Sequence, residues 1–139
     1  MLTKEIEKQL MRTAIEYRKR AYVPYSHFCV GAALLAKDGQ IFGGCNIENA
    51  SYTPSNCAER TAFFKAVSEG ITEFEAIAIV GGKEKGELEF CPPCGVCRQV
   101  MIEFCSPKEF QVLLGTSETE YQLFSLGELL PFGFSKENL

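Results

Sequence analysis

Three cysteines set the tightest constraint on how this chain folds. Cys94 and Cys97 bracket Cys94-Gly95-Val96-Cys97, and Cys57 stands 37 residues before Cys94. Two thiols three apart at a helix start share one face of its first turn and can hold one ion. For Cys57 to join them, the chain between must leave and return. The intervening pattern provides that excursion. Ala58 to Glu69 has helical character, and Gly70 is suited to ending it. Ala76 to Val80 is a short apolar strand, and Gly81 to Gly86 reads as a polar loop. Pro92-Pro93 then precedes a helix from about Cys94 to Phe104.

The rest of the chain supplies a sheet and a third helix. Thr3 can cap a helix running to about Arg20, whose apolar stripe is Ile6, Leu10, Met11, Ala14, Ile15 and Tyr17. Pro24 ends any continuation. Cys29 to Ala36 reads as a buried strand, Asp38-Gly39 as a hairpin turn, and Gln40 to Ile47 as the return strand. Asn49 to Asn56 is loop. Phe110 to Leu114 and Tyr121 to Leu126 are further strands, with a short helix over Leu126 to Leu130. Strands interleaved with helices imply an α/β fold, one sheet with helices on its faces. The hairpins make that sheet mixed. No linker interrupts the pattern, so residues 1–139 are expected to form a single domain.

Composition removes several classes of function. Hydrophobic residues make up 46% and charged residues 23%, as in a soluble globular chain. The longest apolar run, Val30 to Ala36, is far short of the ~18 residues that cross a bilayer. A net charge of −4 gives no basic surface for nucleic acid or an anionic membrane. The seven cysteines are an odd number, which argues against a full disulfide framework. The start, Met1-Leu2-Thr3-Lys4-Glu5, is charged and unlike a secretory signal. The expectation is a cytoplasmic protein with reduced thiols. Cys29, Cys45 and Cys105 then read as small buried apolar residues.

Closely spaced reduced thiols point to metal. Cys57, Cys94 and Cys97 suit a catalytic zinc site, which takes three protein ligands and leaves the fourth position to water. Zinc makes such water acidic enough to act as a nucleophile near neutral pH. A carboxylate beside the site, not bound to metal, can carry the proton, and Glu59 is the candidate. Positions two apart on a regular helix point ~200° apart. Cys57 and Glu59 therefore face one pocket only if Cys57 sits at the helix start, outside regular geometry. Three thiolates give zinc excess negative charge. Helix N-termini at both cysteine segments offset it, and Arg60 or Arg98 could donate to ligand sulfurs. Arg60 is the favoured partner.

Cys57-Ala58-Glu59-Arg60, followed by Pro93-Cys94-Gly95-Val96-Cys97-Arg98-Gln99, resembles the zinc deaminase signature in its three-cysteine form. Further segments resemble the small homotetrameric cytidine deaminases in particular. They are Pro24-Tyr25-Ser26-His27-Phe28, Val30 to Leu35, Gly44 to Tyr52, and Glu128-Leu129-Leu130-Pro131 with Phe134. The resemblance implies a three-layer α/β/α fold with a mixed five-stranded sheet. It implies one Zn²⁺ per chain on Cys57, Cys94 and Cys97, with Glu59 as catalytic proton carrier. The implied reaction is hydrolytic deamination of free cytidine and deoxycytidine to uridine and deoxyuridine, releasing ammonia, in pyrimidine salvage. Phe28 would stack near the base and the Ala58 backbone would contact it. Asn46 and Glu48 would bind sugar hydroxyls, and the carboxylate would repel phosphate. Tyr52 and Phe134 would complete a neighbouring subunit's pocket in a homotetramer. The one histidine, His27, is expected to be structural or at the rim.

Other readings stay open on sequence alone. Cys91-Pro92-Pro93-Cys94 is a second, overlapping CxxC and resembles the thioredoxin-like redox motif. Cys91 or Cys105 could instead be the fourth ligand of a closed structural zinc site. Blasticidin-type deaminases also look similar around zinc.

Overall fold

Thr3 starts the fold in the computed structural model, which describes residues 2–139. Met1, which opens the charged N-terminal stretch, lies outside the described residues. The Thr3 hydroxyl accepts from the Ile6 amide at 3.2 Å and caps α1 (Lys4–Arg18). That satisfies one of the amides a helix start leaves unpaired. Leu10, Met11 and Ala14 form its fully buried stripe, with Ile6 and Ile15 packed at the margin.

The chain then runs out as β1 (Phe28–Ala36) and back as β2 (Ile41–Cys45). The turn between them places Gly39 at φ 95°, a conformation side chains resist. β2 ends before the expected Ile47, because Ile47 makes isolated bridges to Tyr22 and Asn56. After α2 (Ala58–Ser68), β3 (Phe74–Lys83) is longer than the expected Ala76–Val80. Gly81 and Gly82, expected in a loop, pair with Val30 and Cys29 of β1. A Cβ on Gly82 would lie 2.4 Å from the Glu87 carbonyl oxygen. These glycines admit a close approach within a strand and do not break it.

α3 (Gly95–Phe104), β4 (Gln111–Gly115), β5 (Tyr121–Ser125) and α4 (Leu126–Leu129) complete the fold, with a short 3-10 turn at Lys136–Asn138. The sheet has five strands in the order β2-β1-β3-β4-β5. β1 is antiparallel to both its neighbours, β4 is parallel to β3, and β5 is antiparallel to β4. The sheet is therefore mixed.

Strand alternation sorts its two faces. Ala33, Leu35, Ala76, Ala78, Val80 and Leu113 pack under α1. Ala32, Leu34, Ile77, Ile79, Val112 and Leu114 face the other way, toward α2 and α3. The result is the three-layer α/β/α arrangement. No helix among the described residues is long and apolar enough to cross a membrane.

This topology positions the site. β2 and β3 run in the same direction, since both are antiparallel to β1. The helices that follow them, α2 and α3, therefore begin at the same end of the sheet. The carboxyl ends of parallel strands are where such folds gather ligand-binding groups.

Candidate active site

Each helix that starts at this end is preceded by a cysteine in extended conformation. Cys57 is the residue before α2, at φ −75° and ψ 157°. Cys94 is the residue before α3, at φ −69° and ψ 167°. Neither side chain caps its helix, so both thiols are left to face elsewhere. They face each other: Cys57 Sγ lies 3.8 Å from Cys94 Sγ, which lies 3.6 Å from Cys97 Sγ. All three sulfurs fall within 4.8 Å of one another. Thiolates bound to one tetrahedral zinc at about 2.3 Å would stand about 3.8 Å apart, so this donor set fits that ion.

The irregular start of α2 also resolves the directional problem posed by Cys57 and Glu59. Cys57 stands outside the helix and Glu59 in its first turn. Glu59 is only 4% exposed. Burial pushes its carboxyl up to about 7, with the Cys57 charge adding to the rise and a hydrogen bond from Cys97 opposing it. Between them, Ala58 is fully buried, and its carbonyl oxygen would lie 2.5 Å from a Cβ on Gly44. Gly44 thus lets α2 sit tightly on β2.

Arg60 Nη2 donates to Cys57 Sγ at 3.2 Å. A hydrogen bond from Cys97, together with Arg60, lowers the Cys57 thiol against the effect of burial. Cys97 is raised by its bond to Cys57 and by burial. One thiol of the pair thus ionises at the other's expense when only protons are available. Arg60 Nε is buried and has no hydrogen-bond partner among the described residues. A guanidinium with a buried unpaired donor at the sulfur cluster suits a site carrying more negative charge than three thiols supply. Arg60→Gln is expected to keep the fold and release zinc roughly 10-fold to 100-fold more readily. Metal content after dialysis against a chelator measures this, and wild-type retention would remove the role. Arg98, the other candidate donor, bonds the carbonyls of Pro93 and Leu129.

The remaining cysteines stand apart. Cys91 is half-buried, and burial with the Glu59 charge pushes its thiol up to about 11. Cys105 caps the far end of α3, where burial pushes it up to about 12. Among the described residues neither joins the three-sulfur group. A closed four-cysteine site is therefore not formed.

A second group gathers at the start of β1. Asn46 Oδ1 accepts from the Val30 amide at 2.9 Å, and its Nδ2 donates to the Phe28 carbonyl at 2.8 Å. Asn46 thereby fixes the backbone on both sides of Cys29. Glu48 accepts from the Tyr25 and Ser26 amides, each at 3.1 Å, and from the Ser26 hydroxyl. The Ser26 bond leads in holding this carboxyl below its ordinary range. On sequence alone Ser26 carries no more than a turn-forming signal two residues before Phe28, and its hold on Glu48 depends on a residue 22 positions on. A cleft of about 410 Å³ is lined by Tyr25, Ser26, Glu48, Asn49, Tyr52 and Ser55.

Tyr52 is 76% exposed and meets Tyr25 edge-on at 6.2 Å. Phe134, 60% exposed, lies on the C-terminal segment and does not line this cleft. His27 adopts φ 56° and faces Glu84 at 3.1 Å; both side chains are exposed and neither lines this cleft. A larger hollow, about 610 Å³, lies between the end of α3 and the C-terminal segment and holds none of the candidate residues.

Comparison with known proteins decides the family. Residues 4–114, which include all three converging cysteines, match the model of the cytidine and deoxycytidylate deaminase zinc-binding region. The chain belongs to this deaminase family. A cytidine deaminase of Halalkalibacterium halodurans is 51% identical over 132 residues, covering 95% of this chain and 96% of that one. A crystal structure of cytidine deaminase from Burkholderia pseudomallei superposes with a TM-score of 0.81 at 48% identity, covering 91% and 97% of the two chains. A blasticidin-S deaminase from Bacillus cereus is more distant, at 31% over 100 residues and 69% of this chain. The deaminase is a hydrolase, and its cofactor is zinc.

Proposed function

We propose that this chain hydrolyses cytidine and deoxycytidine to uridine and deoxyuridine, with release of ammonia. The observation that carries the reading is the convergence of three sulfurs with a buried carboxyl beside them. Cys57, Cys94 and Cys97 would hold zinc. Bound zinc makes water acidic enough to serve as a nucleophile near neutral pH.

Glu59 does the proton work. Its carboxyl, held near neutrality by burial, can accept a proton from the attacking water and return it at the same pH. It delivers that proton to the ring nitrogen next to the attacked carbon. It then assists the departing amine, so water and cytidine become uridine and ammonia in balance. Phe28 and the Ala58 backbone position the base. Asn46 and Glu48 take the sugar hydroxyls. The hydrogen bonds that keep Glu48 ionised also make it repel a 5′-phosphate, which favours free nucleosides.

The assembly we propose is a homotetramer in the cytoplasm, acting in pyrimidine salvage. The exposed aromatics Tyr52 and Phe134 support the assembly, since surface aromatics of this size suit a subunit contact in which they complete a neighbour's cleft.

The redox reading of Cys91-Pro92-Pro93-Cys94 finds no support, because reactive redox thiols are lowered and Cys91 is raised. The test follows zinc content and the ultraviolet loss of cytidine. Cys91→Ser is expected to retain zinc and turn over cytidine at close to the wild-type rate, with or without dithiothreitol. Loss of activity in that variant together with dependence on the thiol reagent would favour the redox reading, and bound zinc with no cytidine turnover in the wild type would contradict the deaminase reading.

A further inference from the structure

We propose that Arg98 is a positioning residue that fixes the backbone of Cys94 and anchors it to the C-terminal segment. This rests on the reading that the three thiols hold zinc. The turn that carries Cys94 has little packing to fix it: Cys94, Gly95 and Val96 are all exposed, between the buried Pro93 and Cys97. The conformation of Cys94 is set by the two peptide planes on either side of it. Arg98 grips both. Its backbone amide donates to the Cys94 carbonyl at 3.1 Å, the first bond of α3. Its side-chain Nε donates to the Pro93 carbonyl at 2.7 Å.

The other end of the guanidinium donates from Nη1 to the Leu129 carbonyl at the end of α4. That anchor is itself held. Ser125 and Glu128 form a reciprocal cap at the start of α4. Gln99, the next residue along α3, donates to the Phe134 carbonyl at 2.8 Å. Between these ties a Cβ on Gly133 would lie 2.9 Å from Ile102 Cδ1, so the segment sits directly on α3. A planar fork can serve two carbonyls in fixed directions, and a lysine ammonium cannot reproduce this. The C-terminal segment thus works as a brace for one zinc ligand. Loosening the brace should free the Cys94 thiol while leaving Cys57, Cys97 and Glu59 in place.

The test compares zinc-loaded wild type with Arg98→Ala, Arg98→Lys and Gln99→Ala. Zinc release to a coloured chelator gives the rate, and the visible spectrum of the cobalt-substituted protein reports the thiolate geometry. Both Arg98 variants should release zinc roughly tenfold faster and show altered cobalt–thiolate absorption. Gln99→Ala should have a much smaller effect on both, because it loosens only the Phe134 end of the segment and leaves both Arg98 bonds in place. Should Arg98→Ala fail to fold, the milder Arg98→Lys carries the test. Wild-type release in the Arg98 variants, or full rescue by lysine, would overturn the brace, the second by showing that charge alone suffices. A Cys94→Ser protein that holds zinc as firmly as wild type would instead overturn the thiol site, and the brace with it.

Discussion

Glu59→Gln is expected to lower cytidine turnover by roughly 10²–10⁴-fold or more while zinc stays bound. The substitution keeps the shape of the side chain and removes its ability to carry a proton. Glu59 is 4% exposed, so bulk water has little access to replace it. The amide should also lie comfortably in the buried site, where burial already drives the carboxyl toward its neutral form. Stability and metal content are therefore expected to stay near wild type, and the effect should fall on the rate. The measurement pairs the ultraviolet decay of cytidine with zinc per chain. Turnover within about tenfold of wild type would remove Glu59 as the proton carrier.

Removing a sulfur should act differently. Cys57→Ser is expected to lose zinc and, with it, all measurable deamination. Cys57 bonds Arg60 and faces Cys94 at 3.8 Å, so its loss leaves both partners without their anchor. Zinc that binds the folded state stabilises it by mass action. A chelator should therefore lower the thermal midpoint of the wild type and leave that of Cys57→Ser nearly unmoved. Equal chelator sensitivity in the two proteins would contradict Cys57 as a ligand.

Local chemistry made much of this architecture readable in advance. The Thr3 cap, the Asp38-Gly39 turn and the α2 stop at Gly70, which adopts φ 90°, each act within a few residues. Such signals survive in the linear order. The convergence of Cys57 with Cys94 was legible for a related reason: the helix, strand and loop between them each have local signals, and together they let the chain leave and return. What was not legible depends on neighbours far along the chain. Gly81 and Gly82 resemble a loop until β1 and the 87–88 backbone are set against them. Arg98, a possible donor to ligand sulfurs on sequence, turns instead to the Pro93 carbonyl and to the Leu129 carbonyl, 31 residues on. Asn46, expected inside the return strand, and Glu48, expected just beyond it, both lie past the end of β2 and are oriented by the 25–30 backbone.

X-ray absorption at the zinc edge of the purified protein gives the sharpest check on this account. The expected spectrum has three sulfur neighbours at about 2.3 Å and one lighter atom at about 2.0 Å, with that lighter atom replaced when a substrate analogue binds. Four sulfurs around the metal, or a nitrogen or carboxylate of the chain in the fourth place, would contradict it.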